Sequence, residues 1–321
     1  MATFRTKYCE NLATSDETAP YNITNIKLGT FVSIVTEQLK TTGKHRLTET
    51  YISTINSFMQ FRGNRGDVNI NDINSDMIIE YESFLKDKGL VPNTTSFYMR
   101  NLRAIYNKAV ERGMAINRSP FSHVYTGIDR TVKRAISSLG IRKIKNLDLS
   151  SRPSLEFSRD LFLFSFYTRG MAFIDMAFLK KKNLKNGILI YRRQKTDRQL
   201  CIKWEKPMQE IVSKYRNDNS PFLLPIITRP GYNERRQYLS AIHHMNNNLK
   251  EIGAMIKSPI VLSSYVARHG WASIAKNNNI PLSVISEAMG HDSENTTRIY
   301  LASFDNSVID KANSAIIKSI L

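Results

Sequence analysis

Apolar residues recur at helical spacing along most of this chain, and only one stretch alternates with the period of a strand. Leu28, Phe31, Val32, Val35 and Leu39 fall on one face of a first helix, because positions three and four apart stack above one another. A second helix over about 46–62 turns Leu47, Tyr51, Ile55, Phe58 and Met59 inward. A third starts near Ser75, a candidate N-cap, buries Met77, Ile78, Tyr81, Phe84 and Leu85, and is closed by Gly89 and Pro92. A fourth starts after Asn93 or Thr94 and runs to about Arg112, with Tyr98, Leu102, Ile105 and Ala109 as its stripe. Four short helices in about 90 residues predict a small helical domain over 26–115, behind an unpatterned polar tail over 1–25.

The second half begins with an apolar helix expected over Leu155 to about Leu179, with Thr168-Arg169-Gly170 inside it. Gly187–Arg193 and Gln199–Trp204 then read as a β-hairpin with Lys195-Thr196-Asp197 at its turn. The remainder is helical in pattern, about 206–216, 235–252, 263–278, 281–289 and from 305 onward. The fold class is therefore mainly α with a small antiparallel β-sheet. The stretch 116–150, punctuated by Gly127 and Gly140, reads as a basic linker before a domain over 151–321.

Charge narrows the partner. The chain carries a net +18, with pI near 9.8, which favours a polyanion such as nucleic acid. Residues 1–140 hold 18 Lys+Arg against 13 Asp+Glu, and residues 141–321 hold 28 against 15. The second half is thus the stronger phosphate binder on charge alone. In the first half, Arg100, Arg103, Lys108 and Arg112 spread over the fourth helix, where Arg100 and Arg103 could straddle a phosphate backbone. A solvated basic face reads equally well from that segment. Arg130, Lys133 and Arg134 with Arg142, Lys143 and Lys145 make the linker basic enough to cross a duplex. Two cysteines, Cys9 and Cys201, are too few for a disulfide framework. No apolar run reaches membrane-spanning length and no signal peptide opens the chain. A soluble, cytoplasmic protein is expected.

Chemistry concentrates near the C-terminus. Arg268-His269, Met289-Gly290-His291 and Tyr300 follow one another at intervals of 23 and 9 residues. Arg and His can hold a phosphate while a Tyr hydroxyl attacks it, storing the bond as a phosphotyrosine. Lys195 on its turn could protonate the leaving oxygen, and Arg169, a charge in an apolar helix, needs a partner or a function. Each residue also has a plain reading. Met289-Gly290-His291 could be a helix C-cap, Tyr300 a core aromatic, and Arg268 a surface ion pair. His243, His244 and His269 read as structural. No metal-ligand spacing, Cys pair or GxxxxGK[ST] loop is present, so no metal or cofactor is expected.

The ordered set resembles the tyrosine recombinase (phage integrase) family, whose box reads roughly H-x-x-R-H, then L-G-H, then Tyr nine residues on. Here the stretches are Tyr265-Val-Ala-Arg268-His269, Met289-Gly290-His291 and Tyr300. The wording FLFSFYTRGMAFIDMAFL and YRRQKTDRQL is similar to a bacterial subgroup of DNA invertases and mobile-element integrases. The resemblance implies a core-binding helical domain and a catalytic domain. It also implies a 3′-phosphotyrosyl link at Tyr300, and catalytic roles for Arg169, Lys195, Arg268 and His291. Implied partners are double-stranded DNA recombination sites, a homotetramer on DNA, and accessory DNA-bending proteins; Val308, Ile309, Ala312, Ile316 and Ile317 make an apolar stripe on a C-terminal helix that either docks on a neighbouring protomer, as the resemblance implies, or packs in cis.

Two positions depart from the family pattern. Tyr265 stands where the family has His or Lys. Ala172 stands where counting back three from Asp175 places the first arginine; Arg169, one helical turn earlier, is expected to replace it. Inversion of DNA and integration or excision of an element are the two expected roles. A DNA-binding protein with a decayed catalytic set is the alternative from another class.

Overall fold

The computed structural model describes residues 26–129, 135–301, 313, 314 and 316–318. The chain divides into two compact units, Met1–Thr131 and Val132–Leu321. It is mainly helical, with one small antiparallel sheet among the described residues.

In the first unit the four expected stripes form α1 (Leu28–Thr41), α2 (His45–Arg62), α3 (Ser75–Asp87) and α4 (Pro92–Glu111). Their apolar faces converge on Phe31, Phe58, Tyr81, Met99, Leu102 and Ile105, all wholly removed from solvent. Local chemistry sets the ends. Asn74, not Ser75, caps α3, accepting from the Met77 amide at 2.9 Å. Pro92 opens α4 ahead of expectation, since its fixed φ and missing N–H suit the first helical position. Asp67 reaches back to the Gly29 amide at the start of α1, and a Cβ on Gly29 would sit 2.8 Å from its Oδ2.

The stretch read as a linker is folded at both ends. In the first unit Phe121 is buried beside Tyr106, the Tyr125 amide donates to Glu82 at 2.9 Å, and Asn93 and Asp129 bond reciprocally. In the second unit Ser137 caps a helix not expected from the sequence, α5 (Ser138–Lys145), whose Ile141 and Ile144 enter the core with Ile136 and Leu149. Apolar residues spaced among Gly and basic residues carried that packing unnoticed.

The second unit continues with α6 (Pro153–Tyr167), α7 (Phe173–Ala177), β1 (Leu184–Lys185), β2 (Ile188–Arg192), β3 (Gln199–Lys203), α8 (Lys206–Lys214), α9 (Glu234–Met255), α10 (Ser264–Asn277), α11 (Leu282–Ala288) and α12 (Glu294–Tyr300). The strands pair antiparallel in the order β1-β2-β3, with Leu189 opposite Ile202 and Tyr191 opposite Leu200. Those four side chains turn inward, as period-two alternation requires. Helix α6 packs against α8, α9 and α10, with Phe162, Phe164, Leu249 and Leu262 at the centre.

The single helix expected from Leu155 to Leu179 is two. It stops at Tyr167, and the chain turns through Arg169 (φ 61°) and Gly170 (φ 73°). The Gly170 amide donates back to the Ser165 carbonyl at 2.8 Å, a left-handed helix stop. Arg169 therefore does not lie one helical turn before Ala172, which N-caps α7 instead.

Of the C-terminal stripe, Val308, Ile309 and Ala312 lie outside the described residues, and Ile316 and Ile317 are helical and exposed. Among the described residues no helix is long and apolar enough to cross a membrane.

Candidate active site

Arg268 is the hub. It lies on the buried face of α10 with 2% of its surface exposed. Its Nη1 donates to the Gly170 carbonyl at 2.7 Å, and its Nη2 to the Met289 carbonyl at 2.7 Å and His291 Nε2 at 2.9 Å. One guanidinium thus ties the stop after α6 to the turn after α11. Burial, with Arg193 close by, lowers its pKa to about 10, so it stays charged at neutral pH.

The α6 stop is seated directly on α10. A Cβ on Gly170 would stand 2.7 Å from the Arg268 Cα, so both the positive φ and the close approach demand glycine. This contact brings the half-buried Arg169 to the site, though its route is a turn rather than a helix. Arg169, Arg193 and Arg268 all favour ionisation of the buried Tyr191 phenol, but burial outweighs them and raises its pKa.

His291 is buried beside Arg268, and its Nδ1 lies 2.7 Å from Thr297 Oγ1. Burial first, then the charges of Arg268, Arg193 and Lys195, lower its pKa to about 3. The ring is neutral at physiological pH. The guanidinium can only donate, so Nε2 must accept and the ring proton sits on Nδ1; the proton is assigned from the hydrogen-bond network.

Lys195 is exposed on the β2–β3 turn, as its sequence position suggests. The turn is held from two sides. The Gln194 amide donates to Asp175 Oδ1 at 2.8 Å, while Arg193 Nη1 and Thr196 Oγ1 donate to the Gly290 carbonyl at 2.7 and 3.1 Å. Burial raises the Asp175 carboxyl even though the Gln194 amide, Arg193 and Arg268 pull the other way.

Tyr265 precedes Arg268 by one turn of α10, is half exposed, and meets the His269 ring edge-on at 4.8 Å. Burial raises its phenol against the pull of Arg268 and Arg193, so it offers an O–H donor and no charge. Tyr300 is the last residue of α12, whose Ser293 cap accepts from the Thr296 amide.

Three basic residues of the fourth helix have local partners. Arg103 donates to Thr126, Arg100 to the Ser96 carbonyl, and Arg112 to Gln38 while lying over the Phe31 ring. Lys108 is half-buried on α4, and Arg130, Lys133 and Arg134 lie outside the described residues. His243 and His244 bond within or between helices, to Asn247 and to Ser154 and Asn248.

Two site residues escaped sequence reasoning. Arg193 follows Leu189 and Tyr191 in inward alternation, a signal that was available. Thr297 sits in the Thr296-Thr297 pair with no mark of its role. The described residues contain no cluster of His, Cys, Asp or Glu able to hold a metal ion. What the arrangement offers is several fixed cations around one neutral imidazole, which suits an anion with developing charge.

Residues 27–126 match the phage integrase SAM-like domain, and residues 147–307 match the phage integrase family. A protein of Methanocaldococcus jannaschii named "Probable integrase/recombinase protein" is 28% identical over 127 residues, 38% of each chain. The chain thus spans 38% of that relative's length. Among solved structures, a lambda integrase dimer bound to a COC′ core site shares the fold at TM-score 0.66 and 14% identity, covering 87% of this chain and 78% of that one. The Tn1549 transposon integrase in complex with transposon right end DNA does so at TM-score 0.63 and 14% identity, covering 92% and 100%. The family match alone extends over half of the chain, and it falls on the unit that holds Arg268, His291 and Tyr300: the chain belongs to the tyrosine recombinase (phage integrase) family.

Proposed function

We propose that this protein is a site-specific DNA recombinase that cuts and rejoins strands without a metal, through a 3′-phosphotyrosyl intermediate at Tyr300. The observation that carries this reading is the joining of Arg268 to His291, 23 residues on, and to the carbonyl of Gly170, 98 residues back. Tyr300 Oη attacks the phosphorus and its proton leaves to a neighbouring acceptor. Arg268 and Arg169 neutralise the equatorial oxygens. Lys195 protonates the departing 5′-oxygen. A 5′-hydroxyl of the partner strand then reverses the step, and the bond energy is conserved in the phosphotyrosine.

Tyr265 adds an uncharged hydrogen bond where other family members carry His or Lys. Arg100, Arg103, Lys108 and Arg112, with Arg130, Lys133 and Arg134, position the duplex through phosphate contacts. The active assembly is a homotetramer on two sites, with the C-terminal helix as a docking element. A lambda integrase tetramer bound to a Holliday junction has the same fold at TM-score 0.65 and 14% identity, which supports that reading. The biological reaction is inversion of a DNA segment or integration and excision of a mobile element.

Mapping Tyr300-linked DNA across a host genome tests this. Adducts at paired sites flanked by repeats are expected, inverted repeats for inversion and element ends for integration. DNA recovered without any covalent link, only by salt-sensitive binding, would identify a binding protein instead.

A further inference from the structure

We infer that Thr297 is a positioning residue that fixes which nitrogen of His291 faces the reacting phosphate. The inference rests on the proposed recombinase reading and adds to it a residue and a proton. Thr297 is wholly buried on α12, one turn before Tyr300, and its Oγ1 lies 2.7 Å from His291 Nδ1. On the other side of the ring, Arg268 Nη2 donates to Nε2 at 2.9 Å. A neutral imidazole between a compulsory donor and a hydroxyl has one arrangement that satisfies both. Nδ1–H donates to Thr297, and Nε2 keeps its lone pair.

The hydroxyl holds the plane of the ring and keeps Nε2 on the Arg268 side, while the donor-only guanidinium sets the tautomer. His291 meets the substrate as a proton acceptor at Nε2, not as a donor to phosphate. When a phosphate draws Arg268 Nη2 away, Nε2 is released to take the proton that the attacking phenol must lose. The Nε2–H bond forms as the Tyr300 O–H bond breaks, leaving an imidazolium whose Nδ1–H still points at Thr297. The proton returns when the phosphotyrosine is resolved. The ring's low proton affinity in the DNA-free protein is set partly by Arg268, and that contribution changes once the guanidinium turns to the phosphate.

The geometry has a second consequence. Thr297 and Tyr300 share α12, so the same 2.7 Å bond that holds the His291 ring also fastens the helix carrying Tyr300 to the Arg268 hub. A displacement of α12 would break the Thr297 bond and free the His291 ring to turn.

The test pairs a spectroscopic readout with a kinetic one, on the full chain. In ¹⁵N-histidine protein the His291 Nδ1 should resonate as a protonated nitrogen and Nε2 as an unprotonated one. Thr297→Ser should keep that pattern. Thr297→Val, which keeps shape and loses the hydroxyl, should leave the ring free to turn and broaden the resonances of both ring nitrogens. It should also form covalent adduct on a nicked duplex at least about tenfold more slowly, with DNA affinity unchanged, and Thr297→Ser should restore the rate. An Nε2–H tautomer in the wild type, or a Thr297→Val protein with wild-type adduct rate, overturns the inference. If Thr297→Val fails to fold, Thr297→Ala, which removes the same hydroxyl, supplies the rate to compare with Thr297→Ser. If wild-type protein forms no adduct at all, the recombinase reading fails, whereas the spectra judge the tautomer independently.

Discussion

Arg268 and His291 are joined by a 2.9 Å hydrogen bond in which the guanidinium donates and the imidazole Nε2 accepts. Both groups are buried, and burial is the first cause of the shift in each pKa. The arginine remains a cation although burial lowers its pKa to about 10, and the histidine is neutral with its pKa lowered to about 3. Four consequences of this arrangement can be measured, beside the direct test of the nucleophile.

Gly170→Ala is expected to damage both stability and activity. The added methyl meets the Arg268 Cα at 2.7 Å, on a residue with φ of 73°. Overpacking and left-handed strain each cost about 1–3 kcal/mol. A thermal melt should show the loss, and adduct formation should fall further than the melt explains, because Arg268 is displaced. A variant with wild-type melting and cleavage would show that the α6 stop is not seated on α10.

Arg169→Gly separates fold from chemistry. The backbone at 169 is left-handed (φ 61°), which glycine adopts freely. Stability should therefore hold within about 1 kcal/mol, relief of strain offsetting the added freedom of the unfolded chain. Adduct formation should drop by two orders of magnitude or more, on the order of the loss of one oxyanion donor. Near-normal cleavage would remove Arg169 from the site.

Lys195→Ala should slow cleavage by about 100-fold or more, the scale of a lost general acid. Replacing the 5′-bridging oxygen of the scissile phosphate by sulfur should restore the rate, since a thiolate (ordinary pKa about 8.5) leaves without a proton. A variant equally slow on both substrates would make Lys195 a phosphate contact rather than an acid.

Acid stability reports on His291. Its folded pKa lies below the unfolded value, so the unfolded chain binds the extra proton. The stabilisation is complete above about pH 6.5 and is lost as pH falls toward about 3, with a slope of at most about 1.4 kcal/mol per pH unit. Asp175, whose pKa is raised, acts in the opposite sense. The difference between wild type and His291→Asn isolates the histidine. Denaturation at pH 7 and pH 5 should show that difference shrinking on acidification; a constant difference would mean the ring is not held neutral.

Much of this was legible in the sequence, and the exceptions have physical causes. The stripes of α1–α4 and the hairpin repeat a local period, and they appear where that period places them. The stop at Arg169–Gly170 was hidden because apolar residues continue on both sides of it, and the decision is tertiary: Gly170 rests on Arg268 from 98 residues away. Asn74 displaced Ser75 as a cap by a single residue, a choice between two good caps. Arg193 could have been found by carrying the β2 alternation one step further. Thr297 could not, because its role exists only once His291 is buried against it.

The central claim is that Tyr300 is the nucleophile, and a nicked duplex that traps the cut state tests it most directly. Wild-type protein should yield a denaturation-resistant adduct whose linked peptide contains Tyr300. Tyr300→Phe should bind the same duplex with unchanged affinity and yield none. An adduct persisting in Tyr300→Phe, or one mapped to another residue in the wild type, would contradict the account.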